Sequence, residues 1–119
     1  MDKTLLDFEI KFYEGIILNR PDYVDAMIPL AEAYTRKGWY QKGLELDKRL
    51  AVLCDDDPTI FYNLACSYAL LGKSQLALTT LKKAIKKGYK DFRHMKKDKD
   101  LQLLHSLAAF KKLLPASKS

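Results

Sequence analysis

The sequence predicts an all-α fold built from stacked helical hairpins, and three observations carry that prediction. The first is an internal repeat. Residues 24–57, shifted by 34, fall on residues 58–91 without a gap, so that Leu30, Ala31, Tyr34, Gly38, Gln41 and Leu44 meet Leu64, Ala65, Tyr68, Gly72, Gln75 and Leu78. A repeat of this length marks supersecondary units that each leave an apolar face for a neighbour to cover. The second is that apolar residues recur three and four apart along nearly the whole chain, the period of a helix with one buried face. The third is the lack of any convincing stretch with a period of two, so no strand is expected.

Each element follows in order. The chain's 119 residues suit a single small domain, read as a leading helix (1–23), two repeat units (24–57 and 58–91), and a basic connector with a capping helix (92–119). Thr4 is placed to cap the leading helix, with Leu5, Phe8, Phe12 and Ile16 as its stripe and Asn19-Arg20-Pro21 as its end. Asp22 would cap the next helix, through Ala26, Leu30, Ala33 and Tyr34 to Gly38. Pro29 removes a donor there and crowds the Asp25 carbonyl, so a kink or a weakened bond is expected, not a break. Trp39 and Tyr40 stand at the following turn, either half-buried or as an exposed contact point.

Tyr40–Leu53 then carries Leu44, Leu46, Leu50 and Leu53. Asp55-Asp56-Asp57-Pro58 closes that helix and opens the next, since proline suits a first helical position. Phe61, Leu64, Ala65 and Tyr68 follow as far as Gly72. Ser74 is the expected cap of a helix with Leu76, Ala77, Leu78, Leu81, Ala84 and Ile85. Ala31, Ala65 and Ala77 allow close helix approach, and Gly38 and Gly72 suit left-handed turns. In the tail, residues 89–97 read as a short basic helix or turn, and 98–114 as a capping helix with Leu103, Leu107, Phe110 and Leu114 along one face.

Charge is unevenly spread. Residues 1–57 hold 12 acids against eight Lys/Arg, a net of −4, whereas residues 58–119 hold three acids against 13 Lys/Arg, a net of +10. The excess lies in 82–99, where nine basic residues face only Asp91 and Asp98. Such polarity directs encounter and orientation more than fold. Nucleic acid is the runner-up partner on this account, through phosphate neutralisation with Tyr89 and Phe92 as stacking faces. It is disfavoured because Lys82, Lys83, Lys86 and Lys87 form one outer, solvated arc. Head-to-tail self-association of acidic front with basic back is a third reading.

Several classes find no support. No apolar run approaches the roughly 20 residues of a membrane span, and the acidic N-terminus differs from a secretion signal, so a cytoplasmic protein is expected. Cys54 and Cys66 lie twelve apart and read as buried, reduced thiols; a disulfide would need their Cα atoms within about 7 Å. No metal and no cofactor are expected: His94 and His105 are read as lacking an acid or cysteine at ligand spacing. No phosphate loop or nucleophile motif occurs, and the three aspartates lack the rest of a calcium loop. The expectation is therefore not an enzyme.

The repeat residues resemble the tetratricopeptide repeat, a 34-residue helix–turn–helix unit. The family's series appears as Met27, Leu30-Ala31, Tyr34, Gly38 and Gly43, and again as Phe61, Leu64-Ala65, Tyr68, Gly72 and Ala77. Asp47 departs from it where Leu81 supplies an apolar side chain. Gly88-Tyr89-Lys90-Asp91-Phe92, Asp98-x-Asp100-Leu101 and Phe110-x-x-Leu113-Leu114 are similar to the tail of bacterial members.

The resemblance implies a right-handed α-solenoid whose concave groove is lined by the first helix of each pair. It places Asp25, Ile28, Glu32 and Thr35, then Thr59, Tyr62, Asn63, Cys66 and Ala69, then Arg93 and Lys97 in that groove. A carboxylate clamp of the kind some members carry would find Asn63, Arg93 and Lys97 here. It would also find Ile28 and a repelling Glu32 where Lys and Asn are wanted. The functional expectation is thus a non-catalytic protein-binding scaffold or adaptor. Its peptide would seat an apolar anchor near Tyr62 and Cys66 and an acidic end toward Arg93 and Lys97.

Overall fold

In the computed structural model, which describes residues 3–116, the repeat reappears as a phase in the helix boundaries. By their internal contacts the residues divide into two compact units, between Asp55 and Asp56. Unit 1 holds α1 (Lys3–Asn19), α2 (Val24–Lys37) and α3 (Tyr40–Leu53). Unit 2 holds α4 (Pro58–Leu70), α5 (Ser74–Lys86), α6 (Phe92–Lys97), a 3₁₀ helix (Lys99–Leu104) and the one-turn α7 (Ala108–Lys111). The starts of α2 and α4 are 34 apart, as are those of α3 and α5. No strand occurs among the described residues.

In unit 1, α2 packs against both α1 and α3, which is why six of its residues are buried: Ala26, Met27, Leu30, Ala31, Ala33 and Tyr34. Pro29 lies inside α2, and the helix runs on through it. Close approach of α3 requires Gly43, because a Cβ there would stand 3.2 Å from Thr35 Oγ1. Gly38 adopts φ 86°, and Trp39 N–H returns to the Tyr34 carbonyl at 2.9 Å. The same return joins Lys73 to Tyr68 after Gly72 and Tyr89 to Ala84 after Gly88, each glycine having positive φ.

The leading helix buries a different stripe from the one expected. Leu6 and Ile10 face α2, while Leu5, Phe8 and Phe12 are exposed. Polar partners decide between the two stripes. Lys37 reaches Asp7 at 2.6 Å, Arg36 reaches Glu9 at 3.2 Å, and the Tyr34 hydroxyl donates to Glu14 at 2.6 Å. These acids flank Leu6 and Ile10 and turn that side of α1 toward α2. The ion pairs contribute only about 0.2–1 kcal/mol each, and all three contacts lie on the side of α1 that meets α2.

Three expected caps are also corrected. Thr4 lies within α1, Asp22 precedes the Tyr23 N-cap, and Ser74 is the first residue of α5 behind a Lys73 cap without a side-chain bond. Asp22 instead receives Arg49 at 3.0 Å. Asp57 does cap α4, accepting from Thr59 N–H at 2.9 Å with Pro58 in the first turn. Leu53 and Leu76, expected on apolar stripes, are exposed.

In unit 2, α4 is buried on most sides because α5 and the 3₁₀ helix both pack against it. The single capping helix expected over 98–114 is replaced by the 3₁₀ helix and α7. Leu101, Leu104, Leu107 and Phe110 recur every third residue, the period of a 3₁₀ helix, whose i and i+3 side chains eclipse. Leu101, Leu104 and Phe110 are buried, whereas Leu103 is half exposed.

Candidate functional site

Unit 1 carries an open cleft of about 480 Å³ lined by residues of α1, α2 and α3, within the range of ligand-sized pockets. Its apolar lining is Ile17, Leu18, Leu30 and Leu46. Leu18 is 83% exposed, so one wall of the cleft is an apolar side chain left in water. One end is polar. Glu14 accepts from Tyr34 and lies 3.8 Å from Lys42, whose ammonium stands 5.1 Å from the centre of the Tyr34 ring. Burial, then the bond to Glu14, pushes the Tyr34 phenol pKa up, so it remains a donor. Arg49 stands at the rim, held by Asp22 and the Pro21 carbonyl. The rim charges are thus largely matched within the unit, leaving an apolar recess suited to an uncharged side chain.

Unit 2 has a polar cluster centred on Asp98, between α6 and the 3₁₀ helix. One carboxylate oxygen accepts Tyr62 O–H at 2.6 Å and Cys66 S–H at 3.7 Å, and lies 3.1 Å from His94 Nε2; the other accepts Asp100 N–H at 3.0 Å. Tyr89 stacks on Tyr62 with ring centres 4.2 Å apart. Burial first, and the neighbouring Cys66 and Asp98 after it, raise the Tyr62 pKa. Burial and the nearby aspartates raise the Cys66 thiol well above its usual range. Asp100 is raised by burial and by Asp98. Cys66, Asp98 and Asp100 bring ligand-type atoms within 4.8 Å of one another. Through Tyr62 and Cys66, both on α4, Asp98 acts as a lock holding the closing segment on that helix.

The candidate groove residues are therefore placed unequally. Ile28 is half-buried and Glu32 exposed on α2; Thr59 and Asn63 are exposed on α4; Arg93 and Lys97 are exposed on α6. Tyr62 and Cys66 are 4% and 7% exposed. An apolar anchor seated on that pair has no access, because the chain's own closing segment engages it. Ala69 is buried too. His94 does have an acid at helical ligand spacing, since Asp98 is its i+4 neighbour, which corrects the reading of an isolated histidine. His105 Nε2 meets the Met95 carbonyl at 3.2 Å. Cys54 and Cys66 are free thiols, Cys54 half-buried. Trp39 is 41% exposed, tilted on Tyr34 with Lys37 and Lys42 over its ring.

Sequence reasoning missed the unit 1 cleft and the Asp98 lock. The lock did leave a signal, Asp98-x-Asp100 ahead of a period-three leucine run. The cleft left none, because Leu18 falls on neither stripe of α1.

No family model and no solved structure matches the chain. A chloroplastic protein of Arabidopsis thaliana is 33% identical over 87 residues, covering 68% of this chain and 25% of that relative. The chain thus spans about a quarter of the length of the curated relative it matches. No helix among the described residues is long and apolar enough to cross a membrane.

Proposed function

We propose that this chain is a non-catalytic protein-binding module of tetratricopeptide type, its hairpins stacked as a right-handed α-solenoid, working as a scaffold or adaptor in the cytoplasm. The 34-residue phase of helix starts and the three glycine-terminated helix ends support the repeat reading. Two free cysteines suit a reducing compartment. The observation that carries the binding function is the open apolar cleft of unit 1 with Leu18 exposed at its wall. A partner polypeptide inserts an apolar side chain there, and Lys42, Glu45 and Arg49 meet polar groups beside it. Apolar anchors in desolvated pockets dominate many interfaces of this kind.

Selection of a displayed peptide library on the immobilised chain tests the reading, followed by titration of one labelled, selected peptide. Selected sequences should share an apolar residue, and Leu18→Glu should weaken binding at least tenfold, about 1.4 kcal/mol. Leu18 is so exposed that its replacement leaves the core intact. Enrichment of no sequence, or an unchanged affinity for Leu18→Glu, would count against it.

A further inference from the structure

The two units treat their cations differently. In unit 1, Arg36, Lys37, Lys42, Lys48 and Arg49 each meet a carboxylate within 4.0 Å. In unit 2, among the described residues, the one ion pair is His94 with Asp98; no lysine or arginine meets a carboxylate, and the Lys87 ammonium stands 4.8 Å from the centre of the Phe61 ring. Lys82, Lys83, Lys86, Lys87, Lys90 and Arg93 are all exposed or half-exposed. They run along the second half of α5, through the Gly88 turn and into α6. Three of the five acids of this unit are engaged locally, with Asp57 and Asp91 capping helices and Asp98 bonded to Tyr62. A run of uncompensated like charge destabilises its own fold slightly through self-repulsion, and a partner of opposite charge would relieve it.

We propose that the outer face of α5 and the start of α6 is a docking surface for an acidic segment of a partner polypeptide. This rests on the protein-binding reading above and adds the partner's chemistry to it. Three features favour a polypeptide over a nucleic acid. Tyr89 has one face covered by Tyr62, and both Tyr89 and Phe92 are half-buried, so the nearby aromatics offer no open platform for bases. Five of the six cations are lysines, point charges without the planar fork that reads base edges. Finally, Lys82 and Lys86, like Lys83 and Lys87, stand one turn apart at about 6 Å of helix rise, close to the spacing of alternate side chains on an extended acidic strand.

The test is fluorescence anisotropy with a labelled ten-residue polyglutamate probe, alongside a polylysine control and a single-stranded oligothymidine. The polyglutamate should bind, with affinity falling steeply as salt rises. Lys82→Glu combined with Lys86→Glu should weaken it at least tenfold, whereas Lys3→Glu combined with Lys11→Glu, the same change in net charge placed on α1, should not. Leu18→Glu should leave this binding unchanged, so failure of the unit 1 cleft and failure of this surface are told apart. Equal weakening by both double variants would overturn the proposal. So would an oligothymidine that binds more tightly than polyglutamate and is lost through the same two lysines.

Discussion

The Tyr62 hydroxyl donates to the Asp98 carboxylate at 2.6 Å across 36 positions of chain, joining the middle of α4 to the segment that closes unit 2. The repeat resemblance would place Tyr62 in a partner groove; in the structure it is buried and holds its own chain. Tyr62→Phe removes the hydroxyl alone and leaves Asp98 short of one donor in a largely dry site. The expected loss is about 1.5–3 kcal/mol, the range for a hydrogen bond to a charged group, measured by urea unfolding. A loss below about 0.5 kcal/mol, within the scatter of neutral surface changes, would show that His94, Cys66 and the Asp100 amide hold Asp98 without it.

Two glycines predict opposite signs for one substitution. Gly72 sits at φ 77°, so Gly72→Ala is expected to cost about 1–2 kcal/mol. Gly15 lies within α1, and a Cβ there would meet nothing within 4 Å. Gly15→Ala should stabilise by about 0.5–1 kcal/mol through helix propensity. Thermal unfolding of both variants checks the pair, and a shared sign would contradict the assigned backbone geometry.

The period-three face of the closing segment makes neighbouring leucines unequal. Leu104 is fully buried and Leu103 is 50% exposed. Leu104→Ala should cost about 2–5 kcal/mol, and Leu103→Ala should cost well under about 1 kcal/mol. A loss at Leu103 as large as or larger than that at Leu104 in chemical denaturation would contradict this, and a larger one would favour the continuous α-helix read from the sequence, whose apolar face holds Leu103.

Alkaline pH should weaken the fold. Tyr34 and Tyr62 both have raised pKa values, each chiefly through burial, with Glu14 adding to the first and Cys66 and Asp98 to the second. In the unfolded chain a tyrosine ionises near pH ~10, so above that value the folded state retains more protons than the unfolded one. Their contribution is therefore complete below pH ~10 and declines as pH rises further. Melting temperature against pH, with tyrosinate absorbance followed in parallel, checks this. The combined Tyr34→Phe and Tyr62→Phe variant should show a flatter alkaline decline; an identical decline would assign it to other groups.

Hairpin phase was legible in the sequence because it rests on strong local signals: Leu-Ala pairs, glycines at helix ends, and Asp57-Pro58. The burial of α1 was not, since Leu5/Phe8/Phe12 is the more apolar stripe, and only the distant Arg36 and Lys37 favour Leu6 and Ile10. The closing segment reads as one helix because Leu103, Leu107, Phe110 and Leu114 recur four, three and four apart, the period of an α-helix, beside the period-three set that is buried. Among site residues, Arg93 and Lys97 are exposed, while the fate of Tyr62 and Cys66 hinges on Asp98, more than 30 residues away in sequence. No local pattern reports such a contact. Asp47 illustrates the same limit: it is buried at a position where the second unit has Leu81.

Methyl-resolved NMR of the chain with leucine and isoleucine labels, titrated with the selected apolar-anchored peptide, probes the binding function most directly. Shifts should concentrate at Ile17, Leu18, Leu30 and Leu46, and the methyls of Ile60, Leu101 and Leu104 in the core of unit 2 should stay unmoved. Shifts confined to those three residues, with Leu18 silent, would contradict it.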